Sequence, residues 1–178
     1  MADSLLDIVN DNDEIIGQRL RSEIHRDGLL HREVHVWVLT PENEIIFQKR
    51  SATKDTFPNL LTSTAGGHVE QGQAYLNAAL AELDEECGIV AKPEDLIKLI
   101  KINRRSPDPV TQTINHPFRV SYLYRPKKTL QQLRVEKQDG EGFVALPFSS
   151  LQSNVSLFVP SLRDHHYAPM WDKIKELA

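Results

Sequence analysis

The order of segments along this chain predicts an α/β protein built around a mixed β-sheet. Three observations carry the expectation. Short runs rich in aliphatic and β-branched residues recur, some in pairs separated by Asn, Asp or Pro; one amphipathic helix ends at a glycine; and the C-terminal tail has helical character. The 178 residues, 40% apolar and 26% charged, suit one domain over 1–178. Within it, residues 1–28 read as an N-terminal extension, a β-hairpin followed by a short helix.

Leu5–Val9 and Glu14–Gly17 are β-rich runs, and the Asn10–Asp13 cluster between them supplies turn chemistry. Ser22 is a candidate N-cap for a short helix ending near Gly28. Val34–Leu39 and Glu44–Gln48 form a second strand pair around the turn Thr40–Asn43. After Pro58 a short extended piece leads into Gly66-Gly67, and a helix is expected from Gln73 to Cys87, stopped by Gly88. Leu96–Ile102, Phe118–Tyr124 and Glu141–Pro147 complete the strands, and Ser161–Leu177 reads as helix broken at Pro169.

Composition excludes several classes. No run approaches the roughly 18 consecutive apolar residues of a membrane helix. The first residues lack the basic-then-apolar pattern of a cleaved secretory signal. The single cysteine, Cys87, rules out an intramolecular disulfide framework and fits a reducing cytoplasm. A formal charge of −4 argues against a nucleic-acid surface, and oligomeric state is not legible.

The chemistry concentrates in the helix before Gly88. Leu76, Ala79, Leu80, Leu83 and Cys87 fall on one apolar stripe, so Cys87 reads as a buried small hydrophobe. Glu82, Glu85 and Glu86 repeat at i, i+3, i+4 off that stripe, with Asp84 beside them and no Lys or Arg between Leu76 and Val90. Like charges at this spacing cost a few tenths of a kcal/mol per pair. Anions at a helix C-terminus cost about 0.3–1 kcal/mol each. A hard divalent cation removes both penalties, and carboxylate oxygens suit Mg²⁺ or Mn²⁺.

This segment resembles the Nudix box: Gly, five residues, Glu, seven residues, Arg-Glu, aliphatic, any, Glu-Glu, any, Gly, aliphatic. Gly67 takes the first position and Glu82–Ile89 fill the last eight without a gap, over 23 residues. The resemblance implies a Nudix-like α/β/α sandwich with a central mixed β-sheet, and a Mg²⁺-dependent enzyme (Mn²⁺ as substitute) hydrolysing a small-molecule diphosphate. It implies Glu82, Glu85 and Glu86 as metal ligands, helped by a backbone carbonyl near Gly66 or Gly67. Glu86, Glu85 or the loop carboxylate Glu141 would accept the proton of water. Two positions depart from the pattern: Gln73 replaces Glu, and Ala81 replaces Arg, removing an i,i+4 partner for Glu85. Attenuated hydrolysis or a non-catalytic diphosphate-binding module follows from those departures.

Beyond the box, Arg21–His25, Leu30-His31, Arg50–Lys54 and Gly67-His68 are similar to isopentenyl diphosphate isomerase, a branch of the same superfamily. That similarity implies that Arg21, Arg50 and Lys54 grip a diphosphate, and that His25, His31 and His68 match a histidine metal cluster. Isomerase chemistry itself is the weaker expectation. Gly66 stands where that reaction needs a cysteine, and no acidic residue lies near Asn115–Pro117. Other side chains have plainer expectations: His116, the Arg104-Arg105 pair and His165-His166 as surface groups, Asp139 with Glu141 as an acidic turn, Trp37 as core, and Trp171 as the anchor of the last helix.

Overall fold

The computed structural model describes residues 3–54, 56–126 and 140–178. Elements in chain order are β1 (Leu5–Val9), β2 (Ile15–Leu20), α1 (Arg21–Asp27), β3 (His31–Leu39), β4 (Glu44–Arg50), β5 (Leu61–Thr62), β6 (Ala65–His68), α2 (Tyr75–Cys87), β7 (Leu96–Asn103), β8 (Ser106–Pro107), β9 (Ile114–Asn115), β10 (Pro117–Tyr124), β11 (Gly140–Pro147) and α3 (Ala168–Leu177). Short 3-10 turns occupy stretches between Phe148 and Tyr167. Asp139, one of the candidate loop carboxylates, lies outside the described residues.

Strand β3 is apolar on both faces, which places it at the centre of a sheet. Val34, Val36 and Val38 pack on one side with Ala79, Leu83 and Val120. Trp37 and Leu39 pack on the other with Leu123, Tyr167, Met170 and Ile174. The main sheet therefore runs β11-β4-β3-β10-β7, with β5 beside β4 and β6 beside β3. Its β3–β10 pairing is parallel and the others are antiparallel, so the sheet is mixed. Helix α2 covers one face and α3 the other, the α/β/α arrangement expected.

Several local expectations need correction. Strands β3 and β4 share only the pairs Val38–Ile46 and Leu39–Ile45, because β6 takes the β3 edge from Glu33 to Val36. Ser22 is inside α1 rather than its N-cap, and its hydroxyl donates to Asp3 instead. The box helix begins at Tyr75, not Gln73: the Gln73 carboxamide oxygen accepts from Glu70 N at 3.1 Å and closes a turn ahead of it. Pro169 lies in the first turn of α3, where its missing N–H is harmless, so it starts that helix instead of breaking it. Gly88 ends α2 in the left-handed region at φ 70°, as its position predicts. Trp171 does anchor α3, with its ring 4.9 Å from that of Trp37.

Candidate active site

Strand β6 and helix α2 build the carboxylate site together. A methyl group added at Gly67 would fall 2.0 Å from Glu82 Oε1, so any larger residue there would push the Glu82 carboxylate from its place. The N–H of Gly66 donates to Glu86 Oε2 at 2.9 Å. Glu86 is thus on the inner side of α2, 8% exposed, and not off the apolar stripe as its spacing suggested; Glu85 is exposed and Glu82 lies between. Cys87 is 1% exposed with its Sγ 3.6 Å from the Thr64 carbonyl, the buried role expected of it.

A cavity of about 380 Å³ opens beside these carboxylates. Glu82, Glu85 and Glu86 line it from α2, Gly66–His68 from β6, Glu70 and Gln73 from the turn, and Lys54 from the loop after β4. Ser4, Leu6 and Arg21 line it from the N-terminal segment. That segment is fastened in place: Asp7, 4% exposed, accepts from Gly72 N at 2.8 Å and Gln18 Nε2 at 3.1 Å. At the hairpin's turn, Asp13 takes Arg32 Nε at 2.6 Å, the Tyr75 hydroxyl, and Lys101.

Two expected site residues are engaged elsewhere. Arg50 donates to the Thr56 carbonyl from Nε at 3.1 Å and Nη2 at 2.8 Å, bracing the loop that carries Lys54, and does not line the cavity. Glu141 accepts from Ala52 N at 2.9 Å and lies 3.2 Å from Lys49 Nζ, contacts that hold its carboxyl below the usual range. It too lies outside the lining. Among the plainer expectations, Arg104 pairs with Asp164 at 2.8 Å, and His116 Nδ1 lies 3.2 Å from the Gly28 carbonyl.

A second cluster forms where β6 turns its next side chain to the opposite face. One ring nitrogen from each of His25, His31 and His68 lies within 4.8 Å of the others. His25 Nε2 and His68 Nε2 are 2.9 Å apart. His31 Nδ1 donates to the Leu29 carbonyl at 3.0 Å, and its buried Nε2 has no hydrogen-bond partner. Glu33 Oε1 lies 3.5 Å from that nitrogen and 3.6 Å from His68 Nε2. Burial alone would raise the Glu33 carboxyl, but Arg119 and the histidines hold it well below the usual range. Arg119 Nε donates to Glu33 Oε2 at 2.9 Å and its Nη1 to the Tyr167 hydroxyl at 2.7 Å, while Asn115 Nδ2 donates to Glu33 Oε1 at 3.0 Å. Burial pushes His68 down to about 3 and lowers His25 as well, leaving neutral imidazoles. Glu33, Arg119 and Tyr167 escape a reading of motifs. The available signal was the alternation of β3, which puts His31 and Glu33 on one face.

Known proteins match this framework. The family profile described as NUDIX domain matches residues 29–161. An uncharacterized Nudix hydrolase of Clostridium acetobutylicum is 31% identical over 154 residues, 85% of this chain and 73% of that protein. Nudix hydrolase 3 of Arabidopsis thaliana is 26% identical across 99% of this chain, which spans 24% of that longer protein. The crystal structure of DR0079 from Deinococcus radiodurans superposes with a TM-score of 0.70 at 22% identity, covering 97% of this chain and 98% of the other, and shares the fold.

Proposed function

This chain belongs to the Nudix family, and from that premise we propose that it is a Mg²⁺-dependent hydrolase cleaving a diphosphate bond in a small phosphorylated metabolite. One observation carries the proposal: the carboxylates Glu82, Glu85 and Glu86 share a single cavity with the cations Arg21 and Lys54. The donor set fits a hard divalent cation, Mg²⁺ or Mn²⁺, because Gly67 makes room for Glu82 and the Gly66 N–H orients Glu86. When bound, that cation supplies charge neutralisation and Lewis acidity to a diphosphate.

The chain's own residues do the rest. Arg21 and Lys54 hold phosphate oxygens, the first through a planar fork and the second as a point charge. The oxygen of water attacks one phosphorus, the bridging P–O bond breaks, and the departing phosphate keeps its electron pair. Glu141 lies outside the cavity while Glu85 and Glu86 line it, so one of these two takes the proton of water. Hydrolysis is preferred to isomerisation of isopentenyl diphosphate. Gly66 offers no thiol, and that of Cys87 is buried against Thr64. A methyl group at Ala81 and a neutral amide at Gln73 attenuate the site relative to the family pattern.

Assay of Glu85→Gln with Glu86→Gln against a panel of diphosphates in Mg²⁺ tests the proposal. Turnover by the wild type and its loss in the double variant, with an intact thermal melt, support it. Unchanged turnover in the variant overturns it, and Mg²⁺-dependent binding without conversion in the wild type points to a diphosphate-binding module instead. Restoring Ala81→Arg with Gln73→Glu should raise the rate.

The buried, unpartnered Nε2 of His31 carries a second reading, that His25, His31 and His68, with Glu33, hold a separate divalent cation of borderline softness such as Zn²⁺ or Co²⁺. Imidazole nitrogens beside a carboxylate are the donor set such an ion takes.

A further inference from the structure

The cavity's walls also bear on what hangs from the diphosphate. Leu6, Ala78 and Ala81 are the apolar side chains of the lining; Leu6 and Ala78 are each only 2% exposed and Ala81 adds one half-buried methyl group, so together they give a ligand little apolar surface. The accessible wall away from Glu82, Glu85 and Glu86 is polar: Ser4 and Arg21 from the N-terminal segment, Glu70 and Gln73 from the turn it clasps, and Lys54. Glu70 accepts hydrogen bonds from hydroxyl donors and would repel further phosphate. Gln73 commits its oxygen to Glu70 N and leaves its amide nitrogen to donate. Among the described lining residues the imidazole of His68 is the one ring, and it is turned toward His25 and His31.

A nucleobase gains its binding energy largely by stacking on an aromatic face, worth about 1–3 kcal/mol per base. A prenyl chain gains it by burying apolar area at about 25 cal/mol per Å². Among the described residues this wall offers no aromatic face and little apolar area, whereas hydroxyl groups find both donors and acceptors on it. We infer that the substrate is a diphosphate of a compact polyhydroxylated group, a sugar or short polyol, read by Ser4, Glu70 and Gln73 on the wall that the N-terminal segment completes. Ser4 and Arg21 precede the matched family residues 29–161, whereas Glu70 and Gln73 lie within them.

The inference rests on the diphosphate-hydrolase reading above, and its test separates the two. Calorimetry with methylene diphosphonate in Mg²⁺ reports the diphosphate site alone. Turnover is then compared for 5-phosphoribosyl diphosphate, cytidine diphosphate and isopentenyl diphosphate. The expected result is diphosphonate binding together with kcat/KM at least about tenfold higher for the sugar diphosphate. Ser4→Ala and, separately, Gln73→Leu should each raise KM for that substrate severalfold with little change in kcat. Ser4→Ala serves should Gln73→Leu disturb the turn. Diphosphonate binding with equal or better turnover of the nucleotide or prenyl compound, or with turnover of none of the three, overturns the substrate class and leaves the diphosphate site standing. Unchanged KM in both variants overturns the assignment of the wall. Failure of diphosphonate to bind in Mg²⁺ overturns both readings.

Discussion

Two polar sites lie on opposite faces of the four-residue strand β6, and they are made in opposite ways. Gly67 faces the carboxylates of α2, which come from five consecutive residues and open on a cavity. His68 faces the imidazole cluster, which draws on α1, both ends of the β3 neighbourhood and β10, and is closed over by Arg119 and Tyr167. The first collects negative charge at a helix end and asks for a cation. The second gathers imidazole nitrogens around one carboxylate whose charge Arg119 already balances. Donor type is the lesson: the carboxylate site suits a hard ion that exchanges with substrate, and the imidazole site suits an ion of borderline softness.

The sharpest way to break this comparison is the double substitution Glu85→Gln, Glu86→Gln. Turnover should fall more than about a hundredfold, beyond what loss of an outer hydrogen-bond partner causes. The melting temperature in chelator should hold or rise, since like charges are removed. Next in size is Gly67→Ala. The new methyl group would overlap Glu82 Oε1, so Mn²⁺ affinity measured by electron paramagnetic resonance should drop about ten- to a hundredfold. On the other face, wild-type protein should take up one Co²⁺ with a visible absorption band that His31→Ala loses; a band unchanged in that variant would remove the second metal site. The smallest effect is the pH dependence of the chelated protein. Burial lowers His68 to about 3 from an ordinary 6.5, so between those values the unfolded chain binds a proton that the folded one excludes. Stability should therefore be full above pH 6.5 and decline as pH falls toward 3, by at most about 1.4 kcal/mol per pH unit, and His68→Gln should flatten the slope in thermal melts.

The same contrast explains what the sequence disclosed. Glu82, Glu85, Glu86, Gly67 and Gly88 are fixed by local spacing on one helix, the glycine that ends it and the strand glycine ahead of it, so their association is legible without a fold. Most strands were legible as well, from their aliphatic and β-branched runs. The partners of Arg50 and Glu141 were not, because a loop hydrogen bond to Thr56 or Ala52 leaves no periodic trace. Nor was Glu33, whose nearest cation arrives from β10 through a parallel pairing. The two-residue strands β5, β8 and β9 are too short to show a period. Pro169 misled because proline permits a helix start as readily as it forbids a helix interior.

The pairing of β3 with β10 also sets a timetable for synthesis. Glu33 leaves the ribosome 86 residues before Arg119, a delay of several seconds at ordinary elongation rates. During that interval β3, β6 and α2 can already dock, because all lie between residues 31 and 87. Helix α2 docks on the face opposite Glu33, so this carboxylate stays in water until β10 brings Arg119 and the last segment brings Tyr167. The charge and its counter-charge are therefore buried together, and no unpaired ion is carried into the interior along the way.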